Sequence, residues 1–156
     1  MKPKTMELCL YRPDIPQNLG TLIRLSACLD MQLHIIKPCA FPLSHEKLKR
    51  SAMDYADLAR VVIHENESDF FHTTLLQRKI LMTTKYKTEY TEFSFQPSDI
   101  LVAGRESAGV PADFAQKCDA LIGIRMANRA RSLNVAVASA MIIGEAFRQT
   151  VKQTVK

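Results

Sequence analysis

Six short apolar runs recur along this chain, each followed by a stretch with the spacing of a helix or a turn, and that alternation admits few folds. The runs cover residues 6–11, 33–36, 61–64, 79–84, 99–104 and 120–124. The first, Met6-Glu7-Leu8-Cys9-Leu10-Tyr11, is mostly apolar on both faces, as a strand covered on both sides in a parallel sheet should be. Helices are expected from residue 17 or 18 to about 29, with Leu19, Leu22, Ile23 and Ala27 on one stripe, and over 44–50. A third is expected after Asn66-Glu67-Ser68-Asp69, which supplies capping chemistry for a segment containing Phe70, Phe71, Leu75 and Leu76. Two more follow over 111–117, with Pro111 at the first helical position, and over 134–150. Residues 85–98 lack periodicity and read as a loop with at most one helical turn. The predicted architecture is α/β, a mostly parallel sheet flanked by helices.

A chain of 156 residues is expected to form one domain, with a core over about 6–150 and a basic tail at 151–156. The 47% apolar content excludes a disordered chain. A net charge of +5 is compatible with a polyanionic partner without demonstrating one. The four cysteines (Cys9, Cys28, Cys39, Cys118) and four histidines (His34, His45, His64, His72) are dispersed, so no metal site can be built from local spacing and no metal is expected. No stretch reads as a signal peptide or a membrane span, and a reducing cytoplasm is the expected compartment.

In open parallel sheets ligands collect beyond the carboxyl ends of the strands. Sorted by that rule, Asn18, Gly20 and Arg24 follow the first strand and Thr83, Thr84 and Lys85 the fourth. Gly104, Glu106 and Gly109 follow the fifth, and Arg131, Ser132 and Asn134 the sixth. Each also has a plain structural reading. The glycines suit tight turns, Asn18, Ser132 and Asn134 suit helix caps, Arg24 suits a solvated helix, and Lys47, Lys49 and Arg50 suit a solvated helix face. Neither G-x-G-x-x-G nor G-x-x-x-x-G-K occurs, which argues against a dinucleotide oxidoreductase or a P-loop NTPase. Composition and periodicity stop at a ligand site on an α/β domain.

Three ordered motifs carry the reading further. They are Pro13-x-Ile15-Pro16-x-Asn18-x-Gly20-x-x-x-Arg24, then Gly104-x-Glu106-x-x-Gly109-Val110-Pro111, then Ile124 followed by Arg131-Ser132-Leu133-Asn134. Together they resemble the motifs of the SPOUT-class RNA ribose methyltransferases, and within that class the branch that modifies the wobble nucleotide of tRNA. The likeness runs from about residue 6 to 149. It includes His34-Ile35-Ile36-Lys37-Pro38, Leu48-Lys49-Arg50-Ser51-Ala52-Met53-Asp54-Tyr55 and Thr83-Thr84-Lys85. Arg125 stands where that family commonly has proline, and Gly144 where relatives often carry an aromatic residue.

The resemblance implies a deep C-terminal trefoil knot that forms an S-adenosylmethionine pocket from Met82, Gly104, Ile124 and Ser132. It implies a homodimer with active sites shared across the interface, and methyl transfer to the 2′-hydroxyl of cytidine or uridine 34, pointing to leucine isoacceptors. Arg24 is the catalytic residue it implies, accompanied by Asn18, Glu106 and Asn134, with Lys47, Lys49, Arg50, Arg129 and Arg131 as candidates for contacts to the anticodon stem-loop. Two alternatives stand beside this reading: the same reaction at another tRNA position or on rRNA, and a non-catalytic RNA-binding module that kept the fold.

Overall fold

A computed structural model of the chain describes residues 5–44, 46, 50 and 59–151. In chain order the elements are β1 (Glu7–Tyr11), α1 (Pro16–Cys28), β2 (Gln32–Ile36), β3 (Arg60–His64), α2 (Glu67–Thr73) and β4 (Lys79–Met82). They continue with β5 (Thr88–Glu89), β6 (Ile100–Ala103), α3 (Ala112–Lys117), β7 (Ala120–Gly123) and α4 (Val135–Thr150). Among the described residues the strands form one sheet in the order β3-β2-β1-β6-β4-β7-β5, with every pairing parallel. The α/β reading therefore holds. The helix expected over 44–50 falls mostly outside the described residues.

Period-two alternation sorts the central strands β1, β2, β4, β6 and β7 between two apolar layers. Leu8 and Leu10 pack with Leu19, Leu22 and Ile23 of α1 and with Ile142, Ile143 and Ala146 of α4. Cys9 and Tyr11 face the other way, against Phe70 of α2 and Phe114 of α3. Each fully buried Leu or Ile contributes about 1.5–3 kcal/mol relative to exposure, which accounts for why both faces of the strands read as apolar.

Helix boundaries shift from expectation for local reasons. Helix α1 starts at Pro16, whose ring presets the first helical φ, and Ile15 at its N-cap makes no side-chain cap bond. Asn18 thus lies in the first turn, its side chain released for other work. Pro111 is itself the N-cap of α3, and the helix starts at Ala112. Asn66 caps α2 as expected, accepting from the Asp69 amide at 2.9 Å. Helix α2 stops at Thr73, and Leu75 and Leu76 lie beyond it, 74% and 95% exposed. The buried Lys79 ammonium takes the Thr74 and Gln77 carbonyls and turns the chain out of the helix.

Strand β5 was not legible, because two residues carry no periodicity and pairing alone defines them. That pairing is unusual. Met82 of β4 and Thr88 of β5 both stand opposite Ile122 of β7. Residues 83–87 therefore pass from one flank of β7 to the other. Their amides follow the strand they cross, Thr83 donating to the Ile122 carbonyl at 2.9 Å and Lys87 to the Leu121 carbonyl at 3.1 Å. At Gly123 an added Cβ would run into the Tyr86 ring and the Thr83 carbonyl, so the crossing is that close because this residue has no side chain. The chain then folds back toward α4, whose Gln149 accepts from the Phe95 amide and donates to the Phe93 carbonyl, both at 2.9 Å.

Candidate active site

The loops after β1, β4, β6 and β7 meet at the carboxyl edge of the sheet around a cavity of about 840 Å³. Its wall brings together Met82, Gly104, Ile124 and Ser132 with Asn18, Glu106 and Asn134. Arg131, expected on the RNA side, also stands in this wall. Arg24 does not; it is exposed on α1, almost two turns beyond Asn18. Arg129 is exposed with φ 75°, and Arg50 is exposed, while Lys47 and Lys49 lie outside the described residues.

A line of amides and a carboxyl group ties three of these loops to one another. Asn18 Nδ2 donates to Glu106 Oε1 at 2.9 Å, and Asn134 Nδ2 donates to Asn18 Oδ1 at 2.9 Å. Asn134 Oδ1 in turn caps α4, accepting from the amides of Ala136 at 2.8 Å and Val137 at 3.2 Å. Asn134 is thus both the cap and a member of the line, whereas Ser132, two residues earlier, caps nothing. Asn18 is only 6% exposed, so its amide orientation is set by these two partners.

The line ends on a second carboxyl group that no local pattern revealed. Asp14 accepts from the Glu106 amide at 3.2 Å and from Ser107 Oγ. Burial, reinforced by the Asp14 side chain, pushes Glu106 above the usual carboxylate range. The hydrogen bond to Glu106 holds Asp14 below that range, with the Ser107 hydroxyl and the backbone amides adding to it against the effect of burial. The only sequence signal for Asp14 is its place in the rigid Pro13-x-Ile15-Pro16 loop; its partner lies 92 residues away.

Gly104 serves the turn and the wall at once. A Cβ there would come within 2.9 Å of Gly109 backbone atoms. Its absence lets the 104–109 turn close, with Arg105 and Gly109 exchanging backbone bonds of 3.1 and 2.9 Å. Gly109 sits at φ +60°, in the left-handed region that favours glycine. Arg105 is held in place by the Gly109 carbonyl at 3.0 Å and the Tyr11 ring. Arg125, just past β7, pairs with Glu89 of β5 at 2.6 Å.

The sequence profile of the SpoU rRNA methylase family matches residues 5–144. The chain belongs to this family. A relative named tRNA (cytidine(34)-2′-O)-methyltransferase from Beijerinckia indica is 46% identical over 144 residues, covering 91% of this chain and 90% of that one. A solved structure concerned with 2-OH methylation of C/U34 on tRNA superposes with a TM-score of 0.88 at 34% identity, over 94% of this chain and 97% of its own. An AdoMet-bound rRNA methyltransferase from Sinorhizobium meliloti superposes at 0.82 and 26% identity, over 92% of this chain and 56% of the larger protein. The motifs that suggested kinship at the sequence level therefore lie in a SpoU methylase, and the cavity they line is where its chemistry is to be sought.

The wall suits S-adenosylmethionine on its own evidence. Its volume lies in the range of cofactor pockets, and it combines the apolar side chains of Met82, Ile124, Leu133 and Val135 with the backbone of the strand ends and the glycines. Among the described residues no group of three or more His, Cys, Asp or Glu side chains could hold a metal ion. No described helix is long and apolar enough to cross a membrane.

Proposed function

We infer that this chain transfers the methyl group of S-adenosylmethionine to the ribose 2′-hydroxyl of the wobble nucleotide, cytidine or uridine 34, of tRNA. The observation that carries the reading is the single cavity in which all three motifs meet, in a chain so similar to the Beijerinckia indica enzyme. When bound, S-adenosylmethionine supplies a methyl group activated by its sulfonium. Met82 and Ile124 would pack against it, Gly104 would leave room for it, and Ser132 would offer a hydroxyl and backbone groups, since all four line the cavity. Asn18, Glu106 and Asn134 hold the loops in register, so that binding meets a preformed wall.

Arg24 is proposed as the catalytic residue. A guanidinium is never deprotonated in proteins, so it does not serve as the base. It holds the phosphate beside the reacting ribose and offsets the charge that develops as the hydroxyl loses its proton. Arg24 is exposed and outside the wall of its own cavity, which fits a site completed by a second protomer. Val137 and Met141 of α4, 50% and 40% exposed, and Ile15, 39% exposed, supply an apolar surface for that homodimer. A trefoil knot is part of the same proposal. It is supported by the passage of residues 83–87 across β7 and by the return of the chain to α4 at Phe93 and Phe95. Lys47, Lys49, Arg50, Arg129 and Arg131 are assigned to tRNA phosphates, leucine isoacceptors to the substrate, and the cytoplasm to the enzyme.

The test is 2′-O-methyl mapping of total tRNA from cells with and without the gene. Loss of the methyl at nucleotide 34 is expected, and an unchanged anticodon loop with a lost rRNA methyl would transfer the reaction to ribosomal RNA. In vitro, Arg24→Ala abolishes turnover while cofactor affinity measured by calorimetry stays within a few-fold. Lost affinity instead would move Arg24 out of the catalytic role.

A further inference from the structure

Glu106 Oε2 is buried, and no donor reaches it. The other oxygen of the same carboxyl accepts from Asn18 Nδ2. Asp14 comes up against the same turn, its oxygens accepting from the Glu106 amide at 3.2 Å and from Ser107 Oγ. Two ionised carboxylates in this arrangement repel each other, and one of them would carry a bare, desolvated oxygen. A proton on Glu106 removes both faults. It makes Oε2 a donor toward Asp14 and leaves Oε1 free to accept from Asn18.

We propose that Glu106 and Asp14 share a single proton, carried by Glu106, and that this proton fastens the 104–109 turn to the loop before α1. Asp14 is then a positioning residue for the cavity. It never faces the reacting atoms, but it sets the state of the carboxyl on which Asn18, and through it Asn134, is aligned. The shared proton rests on the orphaned Oε2 and on the bonds that bring Asp14 to the Glu106 backbone and to Ser107; its link to cofactor binding rests on the function proposed above. The raised Glu106 and lowered Asp14 are the two halves of one such pair.

Among the described residues the other charged groups lining the cavity are Arg105, on the same turn, Lys85 after β4 and Arg131 after β7. Arg105 is committed to the Gly109 carbonyl and the Tyr11 ring. Asn18 and Ser107 are neutral. The sign follows. Glu106 is raised from 4.5, so the fastening is complete in acid and is lost as pH rises through its titration in the folded protein. Asp14 is lowered from 3.8, so its contribution is lost only as pH falls through its own depressed value. The monoprotonated pair is favoured between the two.

Two measurements test this on the full-length protein. The first is an infrared difference spectrum between wild type and Glu106→Gln across about pH 5 to 9. A carboxylic-acid C=O band that persists above the ordinary Glu range, fades with rising pH and is missing in Glu106→Gln is expected. The second is calorimetry with S-adenosylmethionine over the same range. Wild-type affinity falls with rising pH by up to about tenfold per unit, the slope of one released proton. Glu106→Gln removes that dependence, since its amide donates without titrating. Asp14→Asn reverses it, because the introduced amide donates to an ionised Glu106. The absence of the band, or an alkaline fall that survives in Glu106→Gln, would overturn the shared proton. If wild type binds no cofactor at any pH, the functional reading fails, and the infrared band still decides the pair.

Discussion

Gly123→Ala puts the crossing of residues 83–87 over β7 to a direct test. A Cβ at this position collides with the Thr83 carbonyl and the edge of the Tyr86 ring, and would stand only 2.6 Å from Tyr86 Cγ. Carbon contacts relax at about 3.5–4.0 Å and the nearer ring edge is closer still, so the ring must retreat by more than about 1 Å. The ring can swing, but the Thr83 carbonyl is backbone, and the Thr83 amide is bonded to Ile122 at 2.9 Å. Overpacking of this kind costs about 1–3 kcal/mol, and the involvement of backbone argues for the upper half of that range. A loss of about 2 kcal/mol is therefore expected, read as a lower urea midpoint at unchanged slope. S-adenosylmethionine affinity should fall with it, because Thr83 and Gly123 both line the cavity. Gly144→Ala is the control. Within the chain nothing stands within 4 Å of a Cβ there, so the same change should stabilise the fold by about 0.5–1 kcal/mol, and because Gly144 shares the α4 face of Val137 and Met141 the sedimentation of this variant is checked beside its urea midpoint. If the two substitutions shift stability alike, the close crossing at Gly123 is wrong.

Asn18→Ala strips partners from Glu106 Oε1 and Asn134 Nδ2, both bonded at 2.9 Å, and should cost about 1–3 kcal/mol together with a drop in cofactor affinity seen by calorimetry; unaltered stability and affinity would show that the line of amides holds nothing. Acid should weaken the fold at the far end of the sheet. Burial and the neighbouring His34 depress His64 from 6.5, so stability is lost as pH falls from that value through the folded one. Glu7 follows at lower pH: burial raises it, but the His34 hydrogen bond and charge outweigh that and hold it below 4.5. Urea midpoints taken across this range should decline, with the upper part of the decline missing in His64→Gln. Val137→Glu, on the exposed side of α4, should convert a dimer to a monomer in sedimentation velocity, and a dimer that persists would move the interface elsewhere.

Much of the layered architecture was legible because it is written in local pattern. Leu8, Cys9, Leu10 and Tyr11 read as covered on both sides, and their side chains divide between the two apolar layers. The cap at Asn66 and the start of α4 after Asn134 also follow from residue chemistry within a few positions. Leu75 and Leu76 misled, since the end of α2 is decided by the buried Lys79 ammonium reaching back to the Thr74 and Gln77 carbonyls. The grouping of polar residues by strand end anticipated which loops meet at the cavity. It could not place Arg24 relative to them, because a helical residue's direction depends on which face the rest of the chain covers.

Taken by itself, the order of the residues determined every described strand but β5, the parallel sheet and the loops that meet, all consequences of spacing a few residues long, while three ordered motifs carried the resemblance to a family. Tertiary structure alone decided that Asp14 meets Glu106, that His34 Nδ1 lies 2.9 Å from His64 Nε2, and that Tyr86 crosses β7 at Gly123. Each of these joins residues from separate strands or loops. Such contacts are set by the register and crossing of whole elements, to which no single stretch of sequence has access.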